Sequence, residues 1–172
     1  VLKIENSSGG KANAQRVQII NSSAPKAYTV SFDFTRTADG VISQISAVGN
    51  SEKNKMAIEI GTKEGGKMFV RGKNFDVRKG YIEQTLVQTE LNKKYNVSYY
   101  VNMDTQLAYV YIDGDLKATV RFYYDFNEET DDIEKVFDSF SENISSYSID
   151  NLTVYEDKLL NSVAAIEIKE KM

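Results

Sequence analysis

Apolar and polar residues alternate with a period of two along most of this chain, and this pattern constrains its fold more than any other feature. The clearest case is the segment AYTVSFDFT, in which one face carries Tyr28, Val30, Phe32 and Phe34. A period of two is the signature of a half-buried β-strand. Similar runs follow at 41–48, 55–61, 67–72, 81–89, 95–103, 107–113, 116–124 and 147–156. The pattern therefore predicts many short strands.

Turn-forming residues separate these runs. The pair Asp113-Gly114 lies between two strand-like segments in LAYVYIDGDLKATV, and an Asp-Gly pair readily adopts the positive φ angles of a type I′ hairpin turn. Other breaks fall at Ala38-Asp39-Gly40, Gly49-Asn50, Gly65-Gly66 and Met103-Asp104. Short strands at regular spacing predict an all-β protein, built as an antiparallel β-sandwich.

One segment follows a helical period instead. In DDIEKVFDSFSEN, the apolar residues Ile133, Val136, Phe137 and Phe140 have the spacing of one helix face. Asp131 and Glu134 are spaced as a capping box. We therefore expect one short amphipathic helix near 131–142, packed on the sandwich. The tail 157–172 is compatible with a helix or a strand, and residues 1–172 are expected to form a single domain.

The composition excludes several functions. The chain contains no histidine, which removes Ser-His-Asp, Cys-His and zinc-hydrolase chemistry. A net charge of −4 with interspersed Lys and Glu provides no basic stripe for nucleic acid. No apolar run approaches the roughly 18 to 20 residues that span a bilayer, so no membrane insertion is expected. The absence of cysteine leaves the redox compartment open.

Three segments in a fixed order suggest a known superfamily. They are YTVSFDF early in the chain, KKYNVSYYVNMDTQLAYVYIDGDL in its second half, and SIDNLTVYE near its end. Together they resemble the laminin-G-like branch of the concanavalin A-like lectin and glucanase jelly rolls, over about Lys26 to Glu156. That family often has a Trp at the start of its Tyr-x-Val strand, where this chain has Tyr95. The resemblance implies a jelly-roll fold, shared by sugar-binding modules, glycosidases, polysaccharide lyases and adhesive spacers.

Catalytic patterns of this superfamily are missing. A glucanase presents paired carboxylates on one strand as Glu-x-Asp-x-(x)-Glu, whereas Glu59 stands alone in MAIEIG. The alginate-lyase branch is matched only by Gln44-Ile45-Ser46, without the histidine that follows there. The chain is therefore expected to be non-catalytic.

Jelly rolls of this kind often hold a calcium ion that ties the terminal strands together, which makes calcium a possible structural cofactor here. The candidate ligands are Asp150 in SIDN, together with Glu5 and Asn6 on the first strand. Asp150 alternates with Ile149, so the alternatives are a solvent-facing strand residue and a turn former. The acidic run DFNEETDD lacks the glycine of an EF-hand loop.

The alternation also predicts an aromatic face. If Ala108, Val110 and Ile112 point to the core, their neighbours on the strand point outward. The resulting platform for stacking sugars would comprise Tyr100, Tyr109, Tyr111, Arg121 and Tyr123, with Asp33 and Glu59 at its margins. The alternative is cross-strand aromatic pairing that only stabilises the sheet.

These features predict a carbohydrate-binding or cell-surface module of a secreted multidomain protein. Its partner would be a polysaccharide or glycan, its location extracellular or at the cell surface, and it would be tethered to other domains of the same chain. A start at Val1 favours a piece of a longer chain. The alternatives are a structural or protein-adhesive spacer without a sugar site and a degenerate polysaccharide-active enzyme. An open tyrosine face favours the binder, and a covered one favours the spacer.

Overall fold

The computed structural model describes residues 2–6, 11–15, 27–50, 55–74, 76–124, 138–142 and 145–156. Within these ranges the chain forms strands and turns, all strand pairs are antiparallel, and no helix is present that could cross a bilayer. The strands are β1 (Leu2–Asn6), β2 (Lys11–Gln15), β3 (Ala27–Ala38), β4 (Val41–Asn50), β5 (Lys55–Thr62), β6 (Lys67–Lys73), β7 (Tyr81–Gln88), β8 (Lys94–Asn102), β9 (Leu107–Ile112), β10 (Asp115–Arg121), β11 (Asp138–Glu142) and β12 (Ser145–Glu156).

The strands form one curled sheet with the order β1-β12-β3-β8-β9-β10-β6-β5-β4-β11-β2, and β7 pairs with β6. We call the part from β1 to β10 the front sheet and the part from β6 to β2, with β7, the back sheet. The seam between them is a single register pair, Arg121 with Lys73. The apolar faces of both parts contribute to one buried cluster, and the Tyr99 hydroxyl of β8 meets the Ser46 hydroxyl of β4 at 2.7 Å across it. This arrangement is a jelly-roll β-sandwich, so the predicted fold class is confirmed.

The phase of the alternation is also confirmed. On β3 the residues Val30, Phe32 and Phe34 are fully buried in the core. The hairpin tip has the predicted conformation, because Asp113 and Gly114 have φ angles of 50° and 86° and their flanking residues Ile112 and Asp115 are paired.

The predicted helix near 131–142 is wrong over its second half. Residues Asp138–Glu142 form strand β11, which pairs with β2 on one side and β4 on the other. Two ladders of backbone hydrogen bonds outweigh the local helical spacing of the apolar residues. Residues 131–137 and the tail 157–172 lie outside the described residues.

A buried arginine fixes one end of the sandwich. The Arg36 guanidinium at the end of β3 donates to the Thr89 hydroxyl at 3.1 Å, to the Thr89 carbonyl at 3.1 Å and to the Asp39 carboxylate at 3.0 Å. Gly65 and Gly66, in the turn between β5 and β6, lie against the same group. The turn after β3, the turn before β6 and the end of β7 are thus joined through one side chain, which we call the Arg36 node.

Acid should weaken the Arg36 node. Backbone N–H bonds from Gly40 and Gly65 hold the pKa of Asp39 below its ordinary value, with a further contribution from Arg36. A carboxylate with a lowered folded-state pKa stabilises the fold above its unfolded pKa of about 4 and loses that contribution as the pH falls through the folded-state pKa. We expect Asp39→Asn to lower the melting temperature at pH 7 and to flatten its decline between about pH 5 and pH 2. Asp115→Asn, the same charge change at an exposed position, should leave the decline as steep as in the original chain.

Candidate functional site

The predicted aromatic platform extends from the outer face of the front sheet to the seam. Tyr100 on β8 and Tyr109 and Tyr111 on β9 lie on the outer face of the front sheet, as their phase predicts. Arg121 and Tyr123 lie at the seam, where β10 ends beside β6. Arg121 nevertheless stays close to Tyr109 in the register, because Thr119, two residues before Arg121, pairs with Tyr109.

The front-face tyrosines are covered, contrary to the predicted open platform. Tyr100 is 7% exposed and Tyr111 is 4% exposed, while Tyr109 is half-buried and stacks on Tyr100 with ring centroids 5.9 Å apart. Burial raises the pKa of the Tyr111 hydroxyl, with a smaller contribution from Tyr109. The alternation sets which face a side chain occupies, but not whether that face is open to solvent, and this is why the prediction failed.

Small polar residues continue this covered face. Ser31, Asn96 and Ser98 are all buried, and their side chains form a hydrogen-bonded network. Asp33 joins this network, since its carboxylate accepts from the Asn96 amide at 3.1 Å and from the Asn151 amide at 2.8 Å. Asp33 thus has a structural role that its position in the strand explains, and it lies away from the seam.

Glu59 belongs to the back sheet and is engaged in an ion-pair network. Its carboxylate meets Arg71 at 2.6 Å, and Arg71 also pairs with Glu83, which in turn pairs with Lys63. Burial alone would lower the pKa of Arg71, but hydrogen bonds to Glu83 and Glu59 raise it above its ordinary value. Glu59 thus lies on the back sheet and not beside the front-sheet tyrosines Tyr100, Tyr109 and Tyr111, and its role at the margin of a sugar site stays a prediction.

The predicted calcium ligands are not brought together by the register. Glu5 and Asn6 lie opposite Ser146 and Ser145, whereas Asp150 is four residues further along β12. At about 3.3 Å per residue, this separates Asp150 from Glu5 by roughly 13 Å along the strand. No cluster of three or more acidic residues that could hold a metal occurs in the described part of the chain. Calcium binding itself stays a prediction.

An open cleft lies at the seam. Its volume is about 260 Å³, and it is lined by Asp104, Thr105, Gln106, Arg121 and Phe122. The loop between β8 and β9 provides the first three of these, and its shape is set by Asn102, whose side-chain oxygen accepts from the backbone N–H groups of Asp104 and Thr105. Gln106 adopts a positive φ of 53° and its carbonyl accepts from the Phe122 N–H. We call this the Arg121 cleft.

Arg121 is the cation of this cleft. Its Nε donates to the Asn74 carbonyl at 2.8 Å, which holds the side chain in place. It forms no salt bridge with any residue of the described ranges. The cleft therefore combines a guanidinium with carboxylate, hydroxyl and amide groups, a set of donors and acceptors suited to sugar hydroxyls and to one anionic group.

Exposed aromatic rings adjoin the cleft, and sequence reasoning missed most of them. Tyr81, the first residue of β7, is 62% exposed and stacks on Tyr123 with centroids 4.6 Å apart. Tyr124 contacts the Tyr123 ring edge-on at 5.1 Å. Tyr123 thus belongs to an aromatic cluster, but its ring partners are Tyr81 and Tyr124 and not the predicted Tyr109 and Tyr111. No local signal relates Tyr81 to Arg121, because the seam pairing joins distant parts of the sequence.

No protein-family model matches the chain, and a search of curated proteins finds no match. Solved structures do show similarity. The CBM40 module of the Ruminococcus gnavus IT-sialidase, bound to α2,3-sialyllactose, has a TM-score of 0.56 and 17% identity, with 97% of each chain covered. A sialidase has a TM-score of 0.66 and 16% identity over 91% of this chain, which spans only 15% of the sialidase. The alginate lyase AlyC3 has a TM-score of 0.57 and 12% identity, covering 88% of this chain and 72% of the lyase.

The chain shares the jelly-roll fold of these proteins. Identities of 17% and below show the fold alone, and that fold serves both binding modules and enzymes. The predicted jelly-roll fold is confirmed, while the concanavalin A-like superfamily and its laminin-G-like branch stay predictions.

Proposed function

We propose that this chain is a non-catalytic glycan-binding module and that Arg121 anchors an acidic sugar in the Arg121 cleft. The observation that carries the proposal is a guanidinium without a salt-bridge partner among the described residues, placed at an open cleft lined by hydrogen-bonding side chains. A sugar carboxylate would complete the hydrogen bonding of the guanidinium, since the two groups have matching geometry.

The structural comparisons favour sialylated glycans as the first ligands to test. Two of the similar structures are CBM40 modules bound to sialyllactose, and both match nearly the whole chain. The terminal sugar of sialyllactose carries a carboxylate, as the proposed role of Arg121 requires. Tethering to other domains of a secreted or cell-surface protein is a further part of the proposal; the similar sialidase is much longer than this chain, which spans 15% of it.

The test is binding of sialyllactose, with neutral lactose as the comparison ligand. We expect the chain to bind sialyllactose more tightly than lactose, and Arg121→Gln to weaken the sialyllactose complex by roughly 10- to 100-fold. Isothermal titration calorimetry would measure both affinities.

Arg78→Gln is the matched control for this test. It removes the same charge from the neighbouring loop, but Arg78 is already paired with Asp76 at 3.0 Å and is well exposed. The affinity of Arg78→Gln should stay within about twofold of the original chain. Equal losses of affinity in the two variants would show that the effect comes from net charge and not from Arg121 itself. Equal binding of lactose and sialyllactose would refute the role of Arg121.

A structural or adhesive spacer is the second candidate, favoured by the burial of Tyr100 and Tyr111 on the front sheet. A spacer would bind neither ligand in the titration. In that case the Arg121 cleft would have no glycan role.

A further inference from the structure

The aromatic cluster at the seam presents one ring in a fixed orientation. The Tyr81 and Tyr123 planes are inclined by 26°, so one face of the Tyr81 ring packs on Tyr123. The backbone of Tyr123 is itself fixed by a hydrogen bond, in which its N–H donates to the Ala57 carbonyl at 2.7 Å. Tyr81 nevertheless remains 62% exposed. A large side chain that is supported from one side and exposed on the other contributes little to the core and offers a surface for stacking.

The sheet register places this ring beside the Arg121 cleft. Lys73 of β6 pairs with Arg121 on one side and with Tyr81 on the other. Directly paired residues of antiparallel strands project from the same face of the sheet, and neighbouring strands are about 4.8 Å apart. Arg121 and Tyr81 are therefore about 10 Å apart across the strands, on one face, with Lys73 between them. An oligosaccharide anchored at Arg121 can extend across this distance.

We propose that Tyr81 forms a second subsite, on which the next sugar of an acidic-ended oligosaccharide stacks; this proposal rests on the proposed anchoring of the acidic sugar at Arg121. The apolar C–H face of a pyranose ring packs on the open face of Tyr81, while Tyr123 holds the ring from behind. The ligand class is then an oligosaccharide with one acidic end, and a single acidic sugar uses only half of the site. Selectivity for the longer ligand comes from Tyr81.

The experiment compares two ligands on the same chain, namely α2,3-sialyllactose and free sialic acid. The original chain should bind sialyllactose more tightly than sialic acid. Tyr81→Ala should weaken sialyllactose binding by roughly three- to tenfold and leave the affinity for sialic acid unchanged. Tyr81→Phe keeps the ring and should retain the selectivity. Titration calorimetry provides the affinities, and a melting curve checks that each variant is folded.

Val77→Ala is the control, because Val77 is an exposed apolar residue in the loop that leads into β7, four residues before Tyr81. Its affinities should match those of the original chain. An equal loss for both ligands in Tyr81→Ala would overturn the subsite and leave the anchor at Arg121 intact, as would no loss for either. Failure of the original chain to bind either ligand would overturn both the subsite and the proposed function.

Discussion

Gly66→Ala is expected to destabilise the protein far more than Gly65→Ala, although the two glycines are adjacent and share a left-handed backbone. Their φ angles are 89° and 85°, so an alanine at either position should cost about 1 to 2 kcal/mol of backbone strain. Only at Gly66 does the added methyl group meet the Arg36 node. A Cβ there would lie 2.1 Å from Arg36 Nη2 and 2.6 Å from the Thr89 hydroxyl, whereas nothing lies within 4 Å at Gly65.

The clash cannot be relieved cheaply. Arg36 has a flexible side chain, but it is only 4% exposed and its guanidinium donates to two oxygens of Thr89. Moving it leaves buried polar groups without partners, at a cost of about 1 to 3 kcal/mol for each. We therefore expect Gly66→Ala to lower the free energy of unfolding by at least about 2 kcal/mol more than Gly65→Ala, as measured by urea denaturation.

A double variant identifies the cause. If the clash with Arg36 is responsible, the additional cost of Gly66→Ala should shrink in an Arg36→Ala background, because the two substitutions then remove the same interactions. Equal losses for the two glycine variants, or full additivity with Arg36→Ala, would show that the Arg36 node does not stabilise this end of the sandwich.

Local patterns predicted the strands well because each strand needs only its own alternation. Val30, Phe32 and Phe34 identify β3 without reference to any partner, and Asp113-Gly114 identifies the hairpin tip from two residues. The helix prediction failed at β11 for the opposite reason. The apolar spacing around Phe140 is local, but the hydrogen bonds that decide its conformation come from β2 and β4, far away in the sequence.

The candidate site shows the same limit. The sequence proposed Arg121 and Tyr123 as candidates because the alternation places both on the outward face of a recognisable strand-like run. Tyr81 and the cleft-lining Gln106 were not among them, since only the pairing of β10 with β6 brings Tyr81 close to Arg121, and the cleft depends on a loop held by Asn102. The alternation of apolar and polar residues also does not show whether the outer face of a sheet is buried. Tyr111 demonstrates this, because it faces outward and is only 4% exposed.

Tyr111→Ala should cost about 3 to 5 kcal/mol of unfolding free energy, the range of a core aromatic residue, even though Tyr111 faces away from the core. The residue is 4% exposed, so truncation leaves a cavity in the place of its buried ring. Tyr109→Ala is the matched control, two residues earlier on the same strand and face. Because Tyr109 is only half-buried, its removal should cost roughly 1 to 2 kcal/mol, part of it from lost stacking on Tyr100.

The comparison of these two variants also decides between the two candidate functions of the front sheet. If Tyr111→Ala costs less than about 1 kcal/mol, the face is open in solution and a sugar platform built on Tyr109 and Tyr111 regains its support. If Tyr111→Ala costs the roughly 3 to 5 kcal/mol expected for a core aromatic residue, the front-sheet tyrosines stabilise the fold. The seam is then the candidate site for sugar binding. Glycan affinity would then depend on Arg121 and not on Tyr109, so titrating sialyllactose into Tyr109→Ala should give the affinity of the original chain.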